Sequence, residues 1–502
     1  MQSAVLVGAI RFVREVTTYM EQGFGIIGVG GYLPRLRLDR AAVAAAHRWM
    51  APGLKSNAKG TRSMINWDED VLTMAVEAGR SVLGRFPVGS VGNLTLASTT
   101  LPFADRLNAS VLAAALGLDA QLSSMDAAGS LRCGSSALLR ALRGDSGATS
   151  LIVASERRIP TPASTGELLA GDGAAAIAVG RGEPLAVLRG SASETIDFVD
   201  HFRASGRDGD YGWEERWVRE EGFLKLVPPV IRRALAEAGL QADQVDAFLM
   251  PAALMKVNQA VAKKAGIRPE AVADTLFETC GDTGAAHPLL MLARELEGAP
   301  AGRKIVLVQF GSGCDVIVLE TVGQGRAATP APWLTPGRVE SNYFKYLSFT
   351  NQLALEWGMR AEMDNKTALS AAWRGEEMVN RFAGGKCSAC GTVQFPKSRV
   401  CVNPECTAVD TQQSHVLLDE AAKVRSFTCD WLSYKPCPPF LFGHVEFASG
   451  ARVMMEFTDC EPDELAVGVP LRMVFRIKDT DSQRGFKRYF WKATVLPQDK
   501  EN

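Results

Sequence analysis

The stretch "CSACGTVQFPKSRVCVNPEC" sets Cys387, Cys390, Cys401 and Cys406 in a C-x2-C-x10-C-x4-C pattern, and no other feature limits the local fold so tightly. Two knuckle-like pairs can converge on one tetrahedral ion, thiolate donors suit structural zinc, and four protein ligands leave no open position for a substrate. A structural Zn2+ is therefore expected here. The long second spacing keeps a ribbon with iron or without metal as the alternative. Ten cysteines in 502 residues, four of them in this cluster, are too few for a disulfide scaffold, so a reducing, cytoplasmic compartment is expected.

The rest of the composition mainly excludes. A net charge of −1 gives no general attraction for nucleic acid or an anionic membrane, and no apolar run reaches the eighteen residues a spanning helix needs. The length suggests two to four domains. Residues 1–22 read as an N-terminal extension rather than a secretory leader, because Arg11, Arg14 and Glu15 follow the short apolar run and no cleavage site does.

From Gly23 to Val322 short β-branched runs alternate with helical ones, the pattern of a layered α/β domain. "GDGAAAIAVG" and "GSGCDVIVLE", opening at Gly171 and Gly311, are each a glycine-rich turn feeding an apolar strand. They predict a duplicated fold of two similar halves over 23–325. A Pro/Gly/Thr-rich change near Pro336 predicts a linker with short aromatic-anchored helices over 326–380. The zinc ribbon follows over 381–410, and alternating strands over 411–502 suit a small barrel.

Cys133, in "SSMDAAGSLRCGSSALLRALRGD", sits between a small-residue approach and an amphipathic helix. At a helix start the dipole and free N–H groups stabilise a thiolate, which is how a nucleophile is placed; a free cysteine also serves as a small core hydrophobe. In "ETCGDTGAAHPLL", Asp282 and His287 flank a glycine turn. A thioester-forming cysteine needs oxyanion donors and a nearby acid or base, and these turns supply candidates. Glu69, in "NWDEDV", reads as an acid at a helix start rather than a catalytic carboxylate.

The stretches "GVGGYLP", "NWDEDVLTMAVEAGRSVL", the Cys133 region, "GDGAAAIAVG", "GDTGAAHPLL" and "FGSG" make residues 23–322 resemble the thiolase superfamily, on the branch of hydroxymethylglutaryl-CoA synthases and type III ketoacyl synthases. Residues from Trp373 to Val495 resemble the zinc-ribbon and OB-fold partner proteins of such enzymes, here fused to the chain. The resemblance implies a homodimeric acyltransferase that forms or cleaves a carbon–carbon bond beside a coenzyme A thioester. Cys133 would carry the acyl group at the end of a pantetheine tunnel, with Ser312 and Gly313 beside the substrate and an oxyanion hole built from the Cys133 N–H and one from Ser312 or its neighbour.

The departures from that pattern are specific. Thr99 falls where the synthases carry a glutamate, Met250, Pro251 or Ala252 where a histidine is expected, and Asp282 where the "G-N-T" turn has asparagine. His287 is the expected replacement proton carrier, with Asp282 next. The alternative to an enzyme is a non-catalytic scaffold that delivers CoA intermediates to, or stabilises, a partner thiolase. Phe440, Phe442, Tyr489, Phe490 and Trp491 read as barrel core rather than a base-stacking platform, so no nucleic-acid partner is expected.

Overall fold

The computed structural model describes residues 23–86, 89–251, 254–323, 332–334, 336–357, 366 and 368–496. The extension over 1–22, Ala252, and parts of the 326–380 segment lie outside the described residues.

β1 (Gly23–Tyr32) opens the first half. β2 (Leu36–Asp39) and β3 (Thr61–Met64) pair antiparallel beside it, and β4 (Val91–Ala97), β5 (Ser123–Ala127), β6 (Thr149–Arg157) and β7 (Asp172–Gly182) complete that half. β8 (Ala186–Thr195) opens the second half, β9 (His201–Phe202) and β10 (Tyr211–Gly212) form a small flap, and β11 (Ala247–Leu249), β12 (Lys304–Phe310) and β13 (Gly313–Thr321) finish it.

The sheet order is β11-β12-β13-β8-β1-β7-β6-β4-β5, and it contains the duplication. β4 and β6 pair parallel, β6 with β7 and β7 with β1 antiparallel. In the second half β11 and β12 pair parallel, β12 with β13 and β13 with β8 antiparallel. The two glycine-turn strands singled out in the sequence are thus β7 and β13, the same strand of each half. The halves meet through one register pair, Ile26 with Ala186.

Layering follows from side-chain size. A Cβ on Gly30 would lie 2.0 Å from Ser81 Oγ in the helix Val71–Leu83, and one on Gly31 would lie 2.7 Å from Leu290 in the helix His287–Leu296. The glycines of "GVGGY" let helices close on both faces of β1. The run Ala174 to Ala176 in β7, fully buried, does the same for the next strand.

Past the expected boundary near Pro336 the chain is still part of the first unit. β14 (Arg338–Glu340) pairs parallel with β2, and Tyr343, Tyr346 and Phe349 of the helix Tyr343–Phe349 pack with Leu36, Leu38 and Leu168. Composition marks this stretch as linker because prolines and glycines precede it, whereas its aromatic spacing supplies the burial. Only then come the short helices Leu369–Arg374 and Glu376–Asn380.

β15 (Ala383–Cys387), β16 (Val393–Gln394) and β17 (Gln412–Val416) form the ribbon sheet. β18 (Ala422–Asp430), β19 (Phe440–Phe447), β20 (Arg452–Glu456), β21 (Pro470–Asp481) and β22 (Phe486–Val495) form an antiparallel OB-fold sheet, with Phe457 bridging to Ala493 to bring its edges together. Tyr489 and Trp491 are barrel core, and Phe490 packs against Phe382 and Phe395.

The barrel docks on the first half through "NWDED". Asp70 caps the helix Val71–Leu83 in a capping box with Thr73, a contribution of about 1 kcal/mol, and its other oxygen accepts from Lys487 and Tyr489 at 2.9 and 2.8 Å. Glu69 is one residue too early to be the cap. It is buried, accepting from Tyr32 Oη and the Asn66 N–H and pairing with Arg476 at 3.2 Å. Among the described residues no helix is long and apolar enough to cross a membrane.

Candidate active site

Cys133 is the first residue of the helix Cys133–Arg143, and the loop before it is stapled to the second half. Arg132 reaches Asp315 at 3.1 Å and Thr195 at 2.9 Å, Ser130 Oγ donates to the Gly311 carbonyl, and Gln309 Nε2 donates to the Leu131 carbonyl. Asp315 also accepts from Ser135, Ser136 and Ser193. A Cβ on Gly134 would lie 2.6 Å from the Ala285 carbonyl, so only glycine lets this helix start meet the Gly284–Ala286 turn. The site is therefore built at the seam of the halves, with a start of one inner helix against that of the other.

The thiol differs from expectation. Burial pushes the Cys133 thiol well above its usual range, the charge of Glu156 adds to that, and the Gly134 and Cys133 N–H groups oppose it without prevailing. The helix-start effect is outweighed by desolvation. The Cys133 N–H, expected as an oxyanion donor, donates to the Ser130 carbonyl at 3.0 Å.

Glu156 was not singled out by sequence. It is fully buried near the end of β6, where the β4–β6 register pairs Ala97 with Ala154. Thr99 donates to it from both N–H and Oγ1 at 3.1 Å, Thr100 Oγ1 donates at short range, and Ser98 Oγ lies at 3.4 Å. Thr99, expected to leave an empty carboxylate position, instead holds a carboxylate from the neighbouring strand. Burial raises the Glu156 pKa against these donors and Arg158. Gly284, at φ 55°, has Glu156 Cγ 2.8 Å from where its Cβ would be.

Asp282 and His287 come together but play unlike parts. His287 is buried, its Nδ1 accepts from the Thr283 N–H at 3.0 Å, and its Nε2 donates to the Thr275 carbonyl at 2.6 Å. Both ring nitrogens thus lie within hydrogen-bond distance of backbone, and Nδ1 also faces Asp282. Asp282 accepts from the Gly284 N–H at 2.9 Å and lies 3.5 Å from His287 Nδ1. Burial would raise its carboxyl, but His287, Arg158 and that N–H hold it down to about 2.

Asp282, Arg158, Gln309 and Pro251 line a cavity of about 600 Å3 whose other walls include Tyr211, Trp213, Phe223 and Phe310. Leu131 lines it too, but Cys133 itself, expected at a tunnel end, does not. The β9–β10 flap is clamped beside it, since Asp210 pairs with Arg158 at 2.9 Å and Arg203 at 2.7 Å, and Arg203 also donates to the Thr99 carbonyl. Ser312 turns at φ 49° and Gly313 at φ 105°. A left-handed non-glycine residue is strained, and Gly311 beside it packs on Ser130 and the Leu131 and Arg132 amides.

In the ribbon all four Sγ atoms lie within 4.8 Å of one another, with Cys387–Cys406 at 3.8 Å and Cys390–Cys401 at 3.6 Å. Zn–S bonds of about 2.3 Å in a tetrahedron give sulfur–sulfur edges of about 3.8 Å, so the donor set fits zinc.

Comparison with known proteins agrees with this architecture. Residues 235–319 match the C-terminal family of 3-oxoacyl-[acyl-carrier-protein] synthase III, 376–410 the rubredoxin-like zinc ribbon domain of ChsH2, and 415–476 the C-terminal OB-fold domain of ChsH2. Hydroxymethylglutaryl-CoA synthase of Caldivirga maquilingensis is 29% identical over 347 residues, 65% of this chain and 97% of the relative. That of Methanopyrus kandleri is 26% identical over 322 residues, 61% and 91% of the two chains. The solved structure of MvaS in complex with 3-hydroxy-3-methylglutaryl coenzyme A superposes with a TM-score of 0.57 at 17% identity, covering 66% of this chain and 92% of that one. 3-Oxoacyl-(acyl carrier protein) synthase III, FabH, from Pseudomonas aeruginosa gives 0.53 at 22%, covering 60% and 99%.

Proposed function

We propose that this chain, a thiolase-superfamily domain of the hydroxymethylglutaryl-CoA synthase and ketoacyl synthase III kind joined to a zinc ribbon and an OB-fold, is an acyltransferase that forms or cleaves a carbon–carbon bond beside a coenzyme A thioester. Cys133 carries the acyl group. The observation that carries this reading is the seam itself: the Cys133 helix start wedged by Gly134 against the Ala285 carbonyl, beside a strained Ser312–Gly313 turn. A buried core cysteine needs none of this apparatus.

In this reading Asp282, a carboxylate facing the cavity, orients the substrate by charge and hydrogen bonding, and Ser312 and Gly313 lie beside the thioester. His287 is a positioning residue that fixes the Asp282 turn. The zinc of Cys387, Cys390, Cys401 and Cys406 is structural and takes no part in the chemistry. A homodimer is part of the proposal, since β5 pairs with β4 on one side and among the described residues its outer edge carries no strand. The scaffold alternative would have the OB barrel serve another thiolase, yet its Lys487, Tyr489 and Lys492 are already engaged by Asp68 and Asp70 of this chain.

Intact-mass measurement after incubation with a panel of acyl-CoA thioesters tests the reading. One acyl increment is expected, lost in Cys133→Ala. No adduct with any thioester leaves the scaffold.

A further inference from the structure

We propose that Glu156 is the protonatable carboxyl of this site, delivered on β6 to the place where Thr99 has none, and that it takes the Cys133 proton during acyl transfer. This rests on the reading of Cys133 as the acyl carrier. An acyl-accepting thiol must lose its proton, and the seam offers few acceptors. Pro251 and Met250 have no titrating group. Both nitrogens of His287 are bound to backbone. Asp282, held down to about 2, is a poor base.

Glu156 remains, and its cradle suits a group that changes charge. Three of its four partners are the hydroxyls of Ser98, Thr99 and Thr100. A hydroxyl can donate to a carboxylate or rotate to accept from a carboxylic acid, which a backbone N–H cannot do. The position is also adjacent: Glu156 Cγ abuts Gly284, whose neighbour Ala285 presents its carbonyl to Gly134, next to Cys133.

Two other charged groups bear on the carboxyl, Arg158 from just past the end of β6 and Asp172 from β7. Asp210 from the flap and Asp282 from the glycine turn act on Arg158. Arg158 is divided among Asp210, Asp282 and Glu156, so it does not lock Glu156 as an anion. Burial raises both Glu156 and Cys133, and the charge of Glu156 adds to the shift of Cys133.

The step balances. The Cys133 S–H proton passes to the Glu156 carboxylate, the thiolate sulfur attacks the thioester carbonyl, and the bond between that carbon and the CoA sulfur breaks. The departing CoA thiolate recovers the proton from Glu156, so acyl group and proton have exchanged between the two sulfurs with no other reactant.

Two measurements on the full chain, each across pH, test this: alkylation of Cys133 by iodoacetamide, read by peptide mapping, and acyl loading from the thioester that loads the wild type best. In Glu156→Gln, removing the negative charge lowers the thiol pKa, so Cys133 alkylates faster than in wild type at pH 8, while acyl loading slows by about 10²-fold or more. Glu156→Asp recovers part of the loading. Loading at the wild-type rate in Glu156→Gln overturns the proposal; so does parallel loss of both reactions in the Gln and Asp variants, the mark of a purely structural carboxyl. If Glu156→Gln does not fold, Thr99→Val decides, since losing one donor to the carboxylate must move the acid limb of the loading profile to higher pH, and an unmoved limb overturns the proposal. Should no thioester load the wild type, the acyltransferase reading fails separately, and an alkylation profile unchanged in Glu156→Gln rejects the coupling of Glu156 to Cys133.

Discussion

Asp68 and Lys492 close an ion pair at 2.9 Å between the first domain and the OB barrel, with both side chains buried. Lys492 Nζ also lies 2.9 Å from Glu456, Thr458 Oγ1 donates to Asp68, and the Ile477 N–H donates to the Asp68 carbonyl. Burial alone would lower the lysine pKa, but the two carboxylates hold it raised. Asp68 has its cation only from across the interface, with Lys478 adding a second for Glu456, so the two domains are built as one body.

Lys492→Met therefore strands the buried Asp68 without its cation and leaves Glu456 to Lys478. Removing one partner of a buried pair costs about 3–5 kcal/mol. Urea unfolding should show a lower midpoint for the barrel and its docking helix, and proteolysis should release the C-terminal region earlier. A midpoint equal to that of wild type would show that solvent reaches the pair.

The neighbouring Glu69 gives the interface a pH dependence of opposite sign to the usual carboxylate. Burial raises it to about 7, with Asp459 adding to the shift and Arg476, Tyr32 and the Asn66 N–H opposing it. Above its unfolded value near 4.5 the folded state binds more protons at this site than the unfolded chain, so its contribution to stability declines as pH rises through 7. Glu69→Gln removes that slope. Urea midpoints should fall from pH 5 to pH 8 more steeply in wild type than in the variant, and parallel profiles would place the titration elsewhere.

Much of this was legible in the sequence where the signal is local. Cysteine spacing gave the ribbon, and a repeated glycine turn gave the duplication of β7 and β13. Glu156 was not legible because its role depends on a partner 57 residues away, met only through the parallel pairing of β4 with β6. The available signal was a charged residue closing the apolar run "LIVAS", opposite the hydroxyl run Ser98–Thr100. The backbone partners of His287 were not legible for a related reason: a histidine one turn past an aspartate looks free until the Thr275 and Thr283 backbone is placed beside it. Cys133 was legible in place but not in ionisation, since burial is a property of the assembled seam.

The ribbon predicts a separable metal dependence. One zinc per chain is expected, and Cys387→Ser, which opens the tetrahedron, should destabilise the C-terminal region far more than the nine-stranded sheet, which has cores of its own. Metal analysis and unfolding followed region by region by hydrogen exchange check this. Zinc well below one equivalent in folded protein would contradict it.

His287 joins two backbone groups across the turn before its helix, the half-buried Thr275 carbonyl and the buried Thr283 N–H. His287→Ala leaves donor and acceptor without partners, each worth about 1–3 kcal/mol when stranded, and frees the turn that presents Asp282. The variant should lose stability by that order and load acyl groups more slowly. A proton carrier would behave differently, since removing it changes the shape of the rate profile across pH and not only its height. With both nitrogens bonded to backbone, the profiles of wild type and variant should differ in height rather than shape. A limb of the profile that disappears with His287 would return the proton transfer to the imidazole and remove it from Glu156.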